Sequence, residues 1–567
     1  MNRMHLWAAL ALFGCTASPA FAQTVSGCGT TAIPKADLTS LAKLQSGIAC
    51  RKTVIGSAND GIALREAAIK KLTPPAPPTP TPSPAPVIVT KPQFEIGINV
   101  ASSVYYGSER IFANLAQGAG GWKDPTAGWG STAPARLGTN GFPIVDGQSF
   151  ALVAPRQVWA GQPATITCTW EGAGTLRVDG MTRAGLSASG QSFTVSGFDR
   201  SKGSYPGLLL YLNGTSAAKP FGALDCREAG LQTVGQFEKT YVDEMAAFKL
   251  LRFLDWSNTN GNPASVTLAN RATPGRAGMD GVAIETQVDL ANAAGTNAWF
   301  TIAYNADEAY VRAVGELVRD RLAKGHRAYF ELSNEVWNFA FPVARQAMNE
   351  GLAQTPPLST DPYSNNPLGY AMKAIWFHKI LTDVYKADPA RLVRVVASQS
   401  DNSGSARTIL GFRDLATWTD ALAIAPYFGH GFFNAPDDKP TPADLDRLFV
   451  KLEAQRVTAI ARAKENKATA DKYGKRLIAY EGGQHIIPTN PAAQGEVYTA
   501  MQRDKRMGEI YDRYFAEWKT ISPDLFTVYS ATGGIGQYGA WGIREYAGQP
   551  IAETPKRRAV LDAIANR

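Results

Sequence analysis

Two glutamates far apart in the chain share one kind of local setting. His326–Asn338 reads HRAYFELSNEVWN. Tyr329, Phe330 and Leu332 make an apolar run of strand character that stops at Glu335, with the Asn334 amide before the acid and the Trp337 indole after it. Arg476–His485 reads RLIAYEGGQH, a second short apolar run that stops at Glu481 and is followed by Gly482 and Gly483. One acid at the end of one run is ordinarily a solvated loop residue. Two acids on two strands of one sheet can work as a pair, one carboxyl protonated to donate to a departing oxygen and one ionised to attack. Cleavage of a glycosidic bond requires such a pair. Carboxyls about 5–5.5 Å apart give retention of configuration, and about 6.5–9.5 Å gives inversion. Strand alternation predicts that Glu331, Ser333 and Glu335 share one face.

Acids at strand ends need a scaffold that brings those ends together. FEIGINV (94–100) opens a series of strand-like runs continued at 250–255, 298–304, the organising run before Glu335, 392–398, 421–427, the run before Glu481, and 525–531. Helical patterns alternate with them at 237–249, 282–294, 308–322, 342–386, 406–417, 445–472, 496–520 and 556–565. Eight such units predict an α/β fold, a closed (β/α)8 TIM barrel over 93–146 and 226–567, with chemistry at the C-terminal strand ends. Glu335 then ends the fourth strand and Glu481 the seventh. Residues 147–225 break the rhythm with short alternating runs such as ATITCTW and QSFTVSG, which predict a small inserted β-sandwich. Trp170 beside Cys168 fits a core position there, and the context of Trp159 leaves its role open.

The N-terminus reads as an export signal over 1–22: Arg3, an apolar Leu6–Phe13 segment too short to span a bilayer, and Ala20-Phe21-Ala22 as cleavage site. Leu12-Phe13-Gly14-Cys15 is an alternative lipoprotein signal, which bulky Phe13 disfavours. A small region (23–72) and a Pro-rich linker (73–92) follow. Secretion or a periplasmic location makes disulfides available to Cys28, Cys50, Cys168 and Cys226. Three pairings are formally open, and spacing favours Cys28–Cys50 with Cys168–Cys226. No Cys-x-x-Cys or His-x-x-x-His spacing supports zinc. Net charge is +8, dispersed without a basic run, which argues against a nucleic-acid partner and is compatible with attraction to acidic polysaccharides or the cell envelope. No other stretch is apolar enough for an integral membrane span. Gly534–Gly539 fits GxGxxG, but no helix pattern follows it, so a loop is expected rather than a dinucleotide site. No Gly-x-Ser-x-Gly elbow occurs.

The Asn334-Glu335 pair ending a fourth strand, with Glu481 ending a seventh, resembles the clan A glycoside hydrolases, retaining enzymes on (β/α)8 barrels. The strings SNEVWN and YEGGQH are also similar to a group of bacterial exported proteins labelled cellulose-binding. The resemblance implies Glu335 as acid/base, Glu481 as nucleophile and Asn334 as the holder of a sugar 2-hydroxyl. Less specifically, it implies Arg252 as the cation that keeps the nucleophile ionised, Tyr427 as its hydrogen-bond donor and Trp541 as a sugar platform. His485 is expected near the site, and Trp256, Trp299, Trp337 and Trp541 as cleft subsites. Two positions depart from the clan pattern: Val336 stands where many members have proline, and the third strand ends in Tyr304-Asn305 where histidine is common. The expectation is an exported, endo-acting glycosidase on a β-linked polysaccharide or oligosaccharide, needing no cofactor or metal. The alternative is a non-catalytic polysaccharide-binding protein on the same barrel.

Overall fold

The computed structural model describes residues 94–566 apart from 125–136, 139–140, 145–149, 154–163, 180–184, 199–208, 276–280 and 434–438. The export signal, the 23–72 region, the linker, Cys28, Cys50 and Trp159 lie outside the described residues.

Eight parallel strands close into a barrel: β1 (Glu95–Asn99), β2 (Leu250–Arg252), β3 (Asn297–Ile302), β4 (Ala328–Leu332), β5 (Leu392–Ala397), β6 (Ala421–Ile424), β7 (Arg476–Ala479) and β8 (Leu525–Val528). Closure is made where β1 pairs with β8, Glu95 opposite Leu525 and Ile98 opposite Val528. The strands are buried almost throughout, which is why they read as apolar runs rather than as alternating ones. Inward residues fill the barrel: Leu250, Trp299, Tyr329, Val395, Ile478 and Leu525 among them, with the Trp299 and Tyr329 rings stacked at 5.6 Å. Small Ala421 and Ala423 on β6 offset those two large rings. Outward residues such as Leu251, Phe300, Phe330 and Phe526 pack beneath the helices.

Among the helices are α1 (Lys239–Met245), α2 (Ile284–Ala294), α3 (Glu308–Arg321), α4 (Pro342–Leu352), α5 (Asn365–Val384), α6 (Ser403–Leu410), α7 (Leu445–Lys472), α8 (Pro491–Arg503), α9 (Lys505–Ile521) and α10 (Pro555–Ala565). Asp307 caps α3 by accepting from the Tyr310 N–H at 2.7 Å. On α9, Met507, Ile510, Tyr511, Tyr514, Phe515 and Trp518 form one apolar stripe at helical spacing. Its Tyr514, Phe515 and Trp518 rings close edge-on against Phe526 of β8. Two long helical patterns are each split. The 342–386 stretch breaks into α4 and α5 around Pro356, Pro357 and Pro362, which cannot continue a helix. The 496–520 stretch breaks at Asp504, whose carboxylate takes the Arg506 N–H at the start of α9.

Between β1 and β2 lie two four-stranded antiparallel sheets. One contains Trp122–Lys123, Phe150–Val153, Leu209–Asn213 and Thr175–Asp179, and the other Gly185–Ser189, Ser192–Phe198, Ala164–Glu171 and Gly222–Glu228. Their strands run from Trp122 to Glu228, wider than 147–225, because Trp122 pairs with Leu152. Ile166, Trp170, Phe193, Leu210, Leu212 and Phe221 fill the space between the sheets. The disulfide Cys168–Cys226 joins two directly opposed residues of neighbouring strands in that core. Trp170 is a core residue, its indole N–H bound to the Gly174 carbonyl at 3.1 Å. Among the described residues no helix is long and apolar enough to cross a membrane.

Candidate active site

Arg252, the last residue of β2, is fully buried inside the barrel and organises its C-terminal end. A guanidinium has five N–H donors, and all five are used here. Nε and NH2 reach Glu331 Oε2 at 3.3 and 2.8 Å, NH2 also reaches Asn334 Oδ1 at 2.9 Å, and NH1 reaches Asn99 Oδ1 at 3.0 Å and Glu481 Oε1 at 2.6 Å. Asn99 is held in turn by the Tyr480 and Val528 carbonyls, to which its Nδ2 donates. The Trp299 indole N–H donates to Glu331 Oε2 at 3.0 Å. Strands 1, 2, 3, 4 and 7 are thereby tied into one network around a single cation.

The two glutamates belong to this network with different partners. Glu481 is buried, and it accepts from Arg252 and, through Oε2, from the Tyr427 hydroxyl at 2.9 Å. Glu335 is half-buried and meets only neutral donors: the Tyr480 hydroxyl at 3.0 Å on Oε1 and Asn338 Nδ2 at 2.9 Å on Oε2. Burial pushes both carboxyls above the usual range, and the charge of Glu335 pushes Glu481 further, so the pair retains a proton where isolated carboxylates have lost theirs. The donors decide where that proton resides. A bound cation plus a hydroxyl stabilise the anion of Glu481 better than an amide and a hydroxyl stabilise that of Glu335, so the donor sets favour Glu335 as the holder of that proton. Glu331 is also pushed up by complete burial, with Arg252 pulling the other way.

The backbone around each acid is specialised. β4 ends at Leu332, and both Ser333 (φ 61) and Glu335 (φ 42) are left-handed, so the alternation expected to run from Glu331 to Glu335 stops short of the acid. A tight turn, not the pleat, aims Glu335, and Asn338 N–H closes it onto the Glu335 carbonyl at 2.8 Å. After Glu481, a side chain at Gly482 would run into the Phe526 ring, and one at Gly483 (φ 133) into the Tyr511 hydroxyl. Gln484, buried next to them, donates to the Ala540 carbonyl at 2.7 Å and couples this turn to the loop after β8.

The remaining expected residues divide clearly. Arg252, Asn334 and Tyr427 join the glutamates, Asn334 also giving one amide hydrogen to Asn260 at 2.9 Å. Trp541 and His485 are half-buried neighbours, ring centroids 5.6 Å apart, and His485 packs edge-on against Tyr427 at 5.1 Å. Burial and His430 lower the His485 pKa. The Trp541 ring lies over Gly539, where a side chain would collide with it. The Gly534–Gly539 loop turns back on itself between Gly536 and Gly539 and starts no helix. Trp337 is half-buried beside Asn338. Trp256 and Trp299 are not in the cleft. Both are fully buried: Trp256 packs on Phe112 and Phe253 with its N–H on the Ala101 carbonyl, and Trp299 stacks inside the barrel.

Four participants carried weaker signals. Tyr480 and Asn338 touch Glu335, yet a tyrosine before one acid and an asparagine after the other are ordinary residues in sequence. Glu331 had a usable signal, since an acid inside an apolar strand needs a buried partner. Asp255, just beyond β2, takes hydrogen bonds from Ser102 and from Tyr529, and burial raises its pKa. Among the described residues no three His, Cys, Asp or Glu side chains are grouped to hold a metal ion.

No protein-family model matches the chain, and no curated protein matches it. Solved structures do match. One is the GH51 arabinofuranosidase from Xanthomonas axonopodis pv. citri, 11% identical over 59% of this chain and 67% of that one, TM-score 0.38. Another is a modular endo-beta-1,4-mannanase from Cellulomonas fimi, 12% identical over 55% and 63%, TM-score 0.32. A third is an endoglucanase from the hyperthermophilic Thermotoga maritima, 12% identical over 57% and 88%, TM-score 0.32.

Proposed function

We propose that the protein is a retaining glycoside hydrolase, endo-acting on a β-linked polysaccharide or oligosaccharide. The observation that carries this reading is the unequal donor set on two carboxyls of one buried network: Glu481 faces a cation and Glu335 faces only neutral groups. In the first step Glu335 gives its proton to the glycosidic oxygen as Glu481 bonds to the anomeric carbon, and the leaving sugar departs with the proton. In the second, Glu335, now ionised, takes a proton from water. The resulting hydroxyl displaces Glu481 and restores both groups to their starting states. Arg252 and Tyr427 hold Glu481 in its attacking form. Asn334 retains one amide hydrogen for a sugar hydroxyl, with Trp541, Trp337 and His485 around the ring. No resident cofactor enters this scheme.

Glu335→Gln and Glu481→Gln variants, assayed on β-glucans, mannans, xylans and acidic exopolysaccharides, test it. Loss of turnover in both, with bound sugar retained, is expected; the product anomer by NMR reads retention. Sugar bound without turnover by the parent protein would leave the polysaccharide-binding alternative, and turnover unaffected by either change would place the chemistry on other residues.

We further propose that the chain is exported, cleaved after Ala22, with 23–72 as a module tethered by the 73–92 linker. The Cys168–Cys226 disulfide suits an oxidising compartment. Mass spectrometry of the mature N-terminus checks it: Gln23 is expected, and a lipid on Cys15 would overturn it.

A further inference from the structure

Glu335 stands at the edge of a large open groove. Its hydrogen-bond partner Asn338 also lines a cavity of about 910 Å³ bounded by the turn after β4, the loop leading into α5, and the start of α6. Two aromatic side chains stand exposed on its wall, Phe339 at 42% and Tyr363 at 71%, held together with ring centroids 6.0 Å apart and planes at 71°. Apolar rings left this open usually mark a surface that is covered in use. Between them and Glu335 the half-buried Trp337 continues the same wall. The rest of the lining is chiefly amide and hydroxyl, with Asp361 and Arg407 as its two charged members, opposite in sign. The wall is firm. Buried Asn366 at the start of α5 donates to the Val336 and Ala344 carbonyls, both at 2.8 Å, and so pins the Glu335 turn to α4 and α5.

We infer that this groove binds the leaving-group half of a neutral polysaccharide chain, with Phe339 and Tyr363 as its sugar platform. The inference rests on the proposed hydrolase reading for its direction. The proton donor stands on the leaving-group side of the scissile bond, and the groove opens beside Glu335, through Asn338, rather than beside the Arg252–Glu481 pair. Charge selects among chains: with one acid and one base in the lining, the groove offers uronate sugars no net attraction, while its amides and hydroxyls match neutral hydroxyls. A groove of this volume holds several sugar rings, which makes internal cleavage of a chain the natural mode.

The test measures binding without turnover. Glu335→Gln protein is titrated with cellohexaose, mannohexaose, xylohexaose, laminarihexaose and an oligogalacturonate, followed by tryptophan fluorescence and calorimetry, alone and with Tyr363→Ala or Phe339→Ala added. At least one neutral hexaose should bind, and each aromatic substitution should weaken it about tenfold, the scale of one lost aromatic contact. Tyr363 is exposed enough that its loss leaves folding intact, which an unchanged melting curve verifies. Binding insensitive to both substitutions, binding of the oligogalacturonate alone, or no binding to any neutral hexaose would overturn the inference. The hydrolase reading fails separately, if Glu335→Gln and Glu481→Gln still cleave chains; the groove fails separately, if cleavage needs both glutamates and Tyr363→Ala and Phe339→Ala bind and cleave like the parent.

Discussion

The two ends of the barrel each hold an arginine against acids, Arg252 fully buried and Arg476 half-buried, and they are built on opposite charge arithmetic. At the N-terminal end, Arg476 at the start of β7 grips Asp524 with two parallel bonds of 2.7 and 2.6 Å, and Glu95 beside them is answered by Lys249 at 3.8 Å, so each acid has its cation. At the C-terminal end, Arg252 serves Glu331 and Glu481 together, with Glu335 in the same field. Three carboxyls round one guanidinium cannot all ionise in a dry site, so protons are retained there. Matched charge holds the fold together, and on the proposed hydrolase reading surplus acid stores a proton for chemistry. That division follows the general layout of the fold, in which the C-terminal face carries the reaction and the N-terminal face carries stability.

The contrast between the two arginines shows most visibly at the acids around Arg252. Glu335→Gln or Glu481→Gln should lower kcat about 10³-fold, the ordinary scale for losing a general acid or a nucleophile. Chemical denaturation should show either variant as stable as the parent or more so, because each removes an acid from a surplus. Asp524→Asn should do the reverse. It strands a half-buried cation and should cost about 2 kcal/mol in urea melts, while kcat per folded molecule stays at the parental value. A smaller effect is expected from Tyr427→Phe, which removes one of the two donors on Glu481. Turnover should fall about tenfold, the value of a hydrogen bond to a charged group, and the acid limb of the pH–rate profile should move upward as the Glu481 anion loses support.

The smallest effect concerns stability against pH. The folded-state pKa of Glu335 lies above its unfolded value, so its contribution is fully present below the ordinary carboxylate range and is lost as pH rises through the folded value. The stability of Glu335→Gln relative to the parent should therefore grow, by about 1 kcal/mol, as pH is raised from the ordinary carboxylate range toward neutral and above. A difference that shrinks over that range would mean that the fold favours the charged form of Glu335.

Much of this was legible in the residues. The apolar runs ending at Glu335 and Glu481 are strands buried on both faces, and burial of that kind leaves a strong local record. Eight of them, alternating with helical stripes such as that of α9, specified a closed barrel. The direction of Glu335 was not legible, because alternation presumes a pleat and the chain leaves the pleat at Ser333. Trp256 and Trp299 were misplaced for a related reason. Aromatics near the sheet look alike in sequence whether they enter the barrel, as Trp299 does, or stand half-buried in a loop beside His485, as Trp541 does, and only the packing of distant neighbours separates them. Tyr480 and Asn338 reach Glu335 through turns whose geometry no single-residue preference encodes.

Site-resolved titration of the two carboxyls locates the shared proton itself. With ¹³C-labelled glutamate, and with Glu335→Gln and Glu481→Gln to assign the signals, the unequal donor set predicts two ionisations, Glu481 losing its proton first and Glu335 retaining one to higher pH. It also predicts that Glu481→Gln lowers the Glu335 value, by removing the neighbouring charge. Retention of the proton by Glu481 while Glu335 ionises first, or two signals that titrate independently in the ordinary carboxylate range, would contradict it.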